Sequence, residues 1–163
     1  MVVVSAVMIW NCLKLTLWTA SPVVVVLSGS MEPAMYRGDI LLLAKVWPIE
    51  TGDIVVYDLG MEAIPIVHRV TSVQERVPKK GTNAVKADDV SQRRYLTKGD
   101  NNNGDDRALY PKGVLYIEDK HVVGRVVGIV PYAGYATIIL NDYPLCKYLL
   151  LGGMLVSMLL TKE

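Results

Sequence analysis

The chain reads as a small, mainly β domain of antiparallel strands, set between an N-terminal transmembrane helix and a short C-terminal apolar helix. Three observations predict this class. Short runs of β-branched residues recur at close spacing, separated by Gly, Pro and Asp. The first 20 residues are mostly apolar, and as a helix they would span about 30 Å, one hydrocarbon thickness. The apolar excess sits at the two ends and leaves a polar middle, although 52% of the 163 residues are hydrophobic and the mean hydropathy is +0.31. This length suits one domain with a modest core.

Met1–Ala20 is the expected membrane anchor, interrupted by Asn11 and Lys14. Lys14 would snorkel or face a partner helix. A cleaved signal peptide is disfavoured, because a cut after the apolar run would fall close to the next motif. Ser21-Pro22 ends the helix, since Pro holds its predecessor extended. Val23–Leu27 is a buried strand that stops at Ser28-Gly29-Ser30, where Gly29 permits a tight turn and Pro33 forbids continuation. Further strands are expected at Ile40–Val46, Ile54–Tyr57, Ile64–Val73 and Tyr95–Thr97, with Val122–Val130 closing the sheet. Gln74–Arg94 is charged, has little apolar periodicity and reads as an exposed loop or an extended hairpin tip. Tyr148–Leu160 is a second apolar run of about 13 residues, short for a span. The organisation expected is an anchor at 1–20, a β-domain at 21–145 carrying the loop at 74–94, and an apolar segment at 146–163.

Composition removes several classes of function. The net charge is +1, and Lys and Arg are not interleaved with stacking aromatics, so no nucleic-acid partner is expected. Cys12 and Cys146 form no CxxC pair and read as structural thiols. No H-E-x-x-H or Cys/His cluster suggests a metal, and no cofactor motif appears. No G-x-S-x-G elbow is present, which disfavours an α/β-hydrolase.

The residues able to do chemistry are Ser28, Ser30, His68, His121, Lys98, Asp100, Asp105 and Asp106. A serine nucleophile needs a base within hydrogen-bond reach, often oriented by a third group. A hydroxyl at a strand-end turn is lifted out of the sheet towards substrate. His68 shares a strand face with Ile66 and Val70, hence a sheltered one, and imidazole as a class accepts protons near neutral pH. His121 follows Glu-Asp-Lys and reads as solvated. Lys98 is the other conceivable base, but its neighbour Asp100 would keep it charged. One carboxylate of KGDNNNGDDR, the stretch 98–107, would orient His68. Spacing alone does not choose which.

The motifs SPVVVVLSGSMEPAMYRGDILLL, GDIVVY, IPIVHRV, LTKGDNN with DDR, and VVGRVVGIVPYAGYATIILNDYP resemble the catalytic subunit of the endoplasmic-reticulum signal peptidase complex of eukaryotes. The likeness runs from Ser21 to about Tyr148, in the family's order. It implies a membrane-anchored serine endopeptidase that removes signal peptides from secretory preproteins on the lumenal side, through an acyl-enzyme. It implies Ser30 as nucleophile, His68 as base and Asp106 as the acid, with Asp100 as a possible acid or support. By analogy with bacterial relatives, the Ser28 hydroxyl and the Ser30 backbone N–H would form the oxyanion hole. The implied partners are other subunits of the complex, the signal peptides and membrane lipid. The implied location is the endoplasmic-reticulum membrane, single-pass type II. Two departures stand out: little precedes the anchor, and the loop 74–94 is longer than expected for the family. Rival readings are a non-catalytic scaffold paralogue, a self-cleaving regulatory serine peptidase, and an archaeal signal peptidase.

Overall fold

A computed structural model describes residues 2–19, 21–60, 64–75 and 93–160. Its centre is one seven-stranded sheet in the order β1-β2-β7-β3-β4-β5-β6. The strands are β1 (Val23–Val25), β2 (Ile40–Ala44), β3 (Ile54–Tyr57), β4 (Ile66–Glu75), β5 (Arg93–Lys98), β6 (Ile117–Glu118) and β7 (Val122–Val130). Every pairing is antiparallel, so the mainly β class holds. Helix α1 (Val2–Leu17) precedes the sheet, and α2 (Tyr135–Asp142) and α3 (Pro144–Leu160) follow it.

Both faces of the sheet carry apolar side chains, because neighbouring residues on a strand point to opposite faces. Val55 and Tyr57 join Ile49, Val70, Tyr95 and Ile117 in one core cluster. Val56, between them, joins Met31, Met35, Leu41 and Leu43 in the other. Burying a side chain of this size contributes about 1.5–3 kcal/mol, so the sheet is held from both sides and the strands that carry polar site residues have little freedom to slide.

Several boundaries differ from expectation for local reasons. β1 is shorter than Val23–Leu27 because the Val26 N–H turns to the Asp39 carbonyl at 2.9 Å, which starts the following loop. Gln74 and Glu75 pair with Arg94 and Arg93, so the ends of the expected loop 74–94 are strand. Residues 76–92 lie outside the described residues. Tyr135–Asp142 is helical although its Thr-Ile-Ile core favours strands: its first N–H groups turn back on Tyr132 and Gly134, and Tyr135 packs over Gly38. Gly38 has φ +94°, and any Cβ there would lie 2.4 Å from the Tyr135 ring. The C-terminal helix begins at Pro144, earlier than the apolar run at Tyr148, since Pro is well suited to the first helical position. Among the described residues no helix is long and apolar enough to cross a membrane. Helix α1 has 16 residues, about 24 Å. Its side chains at Val4, Val7, Met8, Ile9, Trp10 and Leu15 are exposed.

Candidate active site

Period-two alternation decides which polar groups meet. In the register of β3, β4 and β5, His68 lies opposite Val55, and Thr97 opposite Val70. Tyr57, His68 and Thr97 therefore point to one face of three adjacent strands. The short 3-10 turn Asp106–Ala108 packs over that face and is capped by Asp105, whose side chain accepts the Arg107 N–H at 3.1 Å. Asp106, 1% exposed, is thereby inserted among the three.

The resulting line of contacts is continuous. His68 Nε2 stands 3.1 Å from Ser30 Oγ, and His68 Nδ1 2.6 Å from Asp106 Oδ2. The same carboxylate oxygen accepts the Thr97 hydroxyl at 2.6 Å and the Tyr57 hydroxyl at 3.1 Å. Burial pushes the Asp106 carboxyl up, but the hydrogen bonds from His68 and Thr97 and the nearby imidazole outweigh it, leaving it below the usual carboxylate range. Burial beside Asp106 pushes the Tyr57 phenol well up, so it stays a donor.

Asp100, the other candidate acid, is on different duty. Arg69 follows His68 and so points to the opposite face. Its guanidinium takes Asp100 in a two-pronged pair at 2.9 and 2.7 Å, which lowers the Asp100 carboxyl. The structure thus brings Ser30, His68 and Asp106 together and leaves Asp100 against Arg69. Lys98 Nζ donates to a neighbouring carbonyl, that of Gly99, at 3.3 Å, and its charge adds to the lowering of the Asp100 carboxyl. His121 is half-buried rather than solvated: its Nδ1 accepts the Glu118 N–H at 3.1 Å in a turn, and burial pushes its imidazole down. Asp105 caps a turn. Ser28 Oγ lies 3.3 Å from Ser30 Oγ, at the mouth of the site.

The serine turn is tied down by the loop after β5. The Asn101 N–H bonds the Ser30 carbonyl at 2.9 Å, and its side-chain amide bonds the Gly29 carbonyl at 3.1 Å. Between them runs Gly99. A Cβ at this position would lie 2.7 Å from the Ser30 carbonyl oxygen and 2.8 Å from His68 Nε2. Only glycine lets the backbone pass so close. A cleft of about 360 Å³ opens beside Ser30 and His68, with walls that include Val24, Leu27, Ile64, Val67 and Leu109. Met31, 1% exposed, lines it from below.

Tyr57, Thr97, Tyr110, Asn101 and Gly99 were not singled out by sequence reasoning. The three hydroxyl residues look like ordinary strand and core residues; only the strand register reveals where Tyr57 and Thr97 point, and only the loop after the 3-10 turn brings Tyr110 to Thr97. The glycine was visible in KGD, but its neighbours in space were not. Among the described residues, no group of three or more His, Cys, Asp or Glu gathers as metal ligands, and Cys12 and Cys146 are free and exposed.

No protein-family model matches the chain. Individual relatives do. It is 48% identical to the human "Signal peptidase complex catalytic subunit SEC11C" over 165 residues, covering 100% of this chain and 80% of the relative. It is 48% identical to "Signal peptidase complex catalytic subunit SEC11" of Schizophyllum commune (99% and 86% covered) and 47% identical to the protein of that name from Ajellomyces capsulatus (100% and 88%). Near-half identity sustained along the whole length leaves one conclusion: the chain belongs to the family of signal peptidase complex catalytic subunits.

Proposed function

We propose that this chain is a serine endopeptidase that removes signal peptides from secretory preproteins within a signal peptidase complex. The single observation that carries this reading is the contact line Ser30 Oγ, His68 Nε2, His68 Nδ1, Asp106 Oδ2, at 3.1 and 2.6 Å. Ser30 Oγ attacks the scissile carbonyl while His68 Nε2 takes its proton. The Ser28 hydroxyl and the Ser30 backbone N–H face the developing oxyanion. His68 then gives the proton to the leaving amine, and the signal peptide remains as an ester on Ser30. Water, deprotonated by His68, hydrolyses the ester. Asp106 stays ionised throughout and holds the Nδ1–H. The apolar cleft walls favour small side chains at the contacted positions, in the A-x-A-like pattern. The exposed edge of β1 offers backbone groups to an extended substrate.

The anchor belongs to the same proposal. Exposed apolar side chains on α1 suit lipid, and about 24 Å of helix comes near the thin hydrocarbon core of the endoplasmic-reticulum membrane, about 27 Å, with Lys14 reaching the interface. The β-domain then lies on the lumenal side, where a signal peptide emerges. Other subunits of the complex and membrane lipid are its partners. The anchor at 1–20 is thus set apart from the β-domain, while the expected boundary at 145 falls inside α3.

The test is preprotein cleavage by the complex reconstituted in membranes. His68→Ala is expected to assemble normally and to cleave at background rate. Full processing by assembled His68→Ala would reject the reading.

A further inference from the structure

Asp106 does not meet His68 alone. Behind it lies a buried set of hydroxyls whose protons have only one consistent arrangement. The Thr97 backbone N–H donates to the Tyr110 oxygen at 3.2 Å. Thr97 Oγ1 donates to Asp106 Oδ2 at 2.6 Å. A hydroxyl has one proton, so Thr97 cannot also donate to Tyr110, and the 2.8 Å contact between them runs from the Tyr110 hydroxyl to Thr97 Oγ1. Tyr57 donates to the same carboxylate oxygen at 3.1 Å. Thr97 is 0% exposed, Tyr57 0% and Tyr110 6%, so these groups are shielded from bulk solvent. Two hydroxyl protons already point at Oδ2. A third proton sitting on that oxygen would clash with both, so Oδ2 is an acceptor and the proton of the His68 contact must lie on Nδ1. The neutral ring then presents its Nε2 lone pair to Ser30 Oγ.

We propose that Tyr57, Thr97 and Tyr110 are positioning residues for the peptidase reaction: Tyr57 and Thr97 donate to Asp106 and Tyr110 orders the Thr97 hydroxyl, so that Asp106 accepts from both and from His68 Nδ1–H and thereby sets the tautomer of His68. The proposal rests on the serine-peptidase reading of the site. Two effects follow. The array steers Asp106 into the plane where it meets Nδ1. It also shares the carboxylate charge among three donors rather than concentrating it on the imidazole. Removing one hydroxyl leaves more charge on His68 Nδ1–H, favours the imidazolium, and makes the base harder to keep neutral.

The experiment compares wild type, Thr97→Val, Thr97→Ser, Tyr57→Phe and His68→Ala, each as the full chain in its assembled, membrane-reconstituted complex with one preprotein substrate. The readouts are kcat, KM and the pH profile of kcat/KM. Thr97→Val keeps the side-chain shape and loses the hydroxyl. It is expected to lower kcat about 10-fold or more with KM within twofold, and to move the acid limb of the profile upward by about half to one pH unit, as loss of one charge-assisted hydrogen bond implies. Thr97→Ser restores both. Tyr57→Phe, which keeps the ring packing, moves the acid limb the same way by a smaller step, and it decides the matter if Thr97→Val does not assemble. A purely structural role would lower the amount of folded complex without moving the acid limb. An unmoved limb in Thr97→Val, or in Tyr57→Phe where the former does not assemble, overturns the proposal while inactive His68→Ala leaves the peptidase reading intact. Full activity of His68→Ala overturns both.

Discussion

Replacing Gly99 by Ala is a severe test of the geometry, because the space beside the glycine is already filled by the Ser30 carbonyl, His68 Nε2 and the Asn102 side-chain amide. The added Cβ would stand 2.8 Å from His68 Nε2 and 2.7 Å from the Ser30 carbonyl oxygen. Ordinary van der Waals contact begins at 3.4 Å, so each group must retreat by about 0.6 Å or more. Neither retreats freely. The His68 ring is held at its other nitrogen by Asp106, and the Ser30 carbonyl by the Asn101 N–H. The methyl wedge therefore widens the 3.1 Å gap between Ser30 Oγ and His68 Nε2. Displacements approaching 1 Å at reacting atoms cost about 100-fold in rate, and overpacking costs about 1–3 kcal/mol of stability. Gly99→Ala should assemble into the complex, cleave preprotein about 100-fold more slowly, and show the loss in kcat. Retention of activity within twofold would show that residue 99 does not crowd the nucleophile and the base, and would refute the close approach of the loop after β5 to the serine turn.

Three further outcomes follow from the same contacts. Asp106→Asn should lower kcat by about 1,000-fold or more, as removal of a triad acid does, whereas Asp100→Asn should cost far less, because Asp100 faces Arg69; equal losses measured by preprotein cleavage would contradict the division of roles. The Asp106 carboxyl is lower in the folded chain than its ordinary value of 3.8, so the unfolded state binds its proton more readily; the stability it contributes is complete above about pH 4–5 and drains away as pH falls through the folded value. Denaturant unfolding of the full chain in micelles should show that loss, and Asp106→Asn should flatten it; an unchanged acid slope would count against the buried pairing. Gly38→Ala places a Cβ against the Tyr135 ring at a left-handed backbone and should lower stability by about 1–3 kcal/mol through displacement of α2, read as a drop in Tm; an unchanged Tm would contradict the packing of Tyr135 over Gly38.

How much of this was legible in the sequence depended on whether the signal was local. Ile54–Tyr57 and Val122–Val130 were bounded correctly because Gly, Asp and Pro punctuate them within a few residues. Helix α2 was missed because β-branched Thr137, Ile138 and Ile139 favour strands locally, while its fold depends on Tyr135 settling over Gly38, nearly 100 residues earlier. Strand β6 was missed because two residues make no pattern. In the site, Ser30 and His68 stood out by type and place. The choice between Asp100 and Asp106 did not, since both lie in one polar stretch and only the alternation of His68 and Arg69 across the sheet sends them to different partners. Tyr57 and Thr97 resemble core residues for the same reason: what they touch depends on strand register across 40 residues of chain, and Tyr110 reaches Thr97 from the loop after the 3-10 turn.

The most direct measurement is preprotein cleavage by assembled complex carrying Ser30→Ala, beside wild type at equal subunit content. A hydroxyl 3.1 Å from His68 Nε2 that attacks the scissile bond leaves, once removed, cleavage at background over hours. Processing at the wild-type rate by the alanine protein would mean that the bond is broken by some other group.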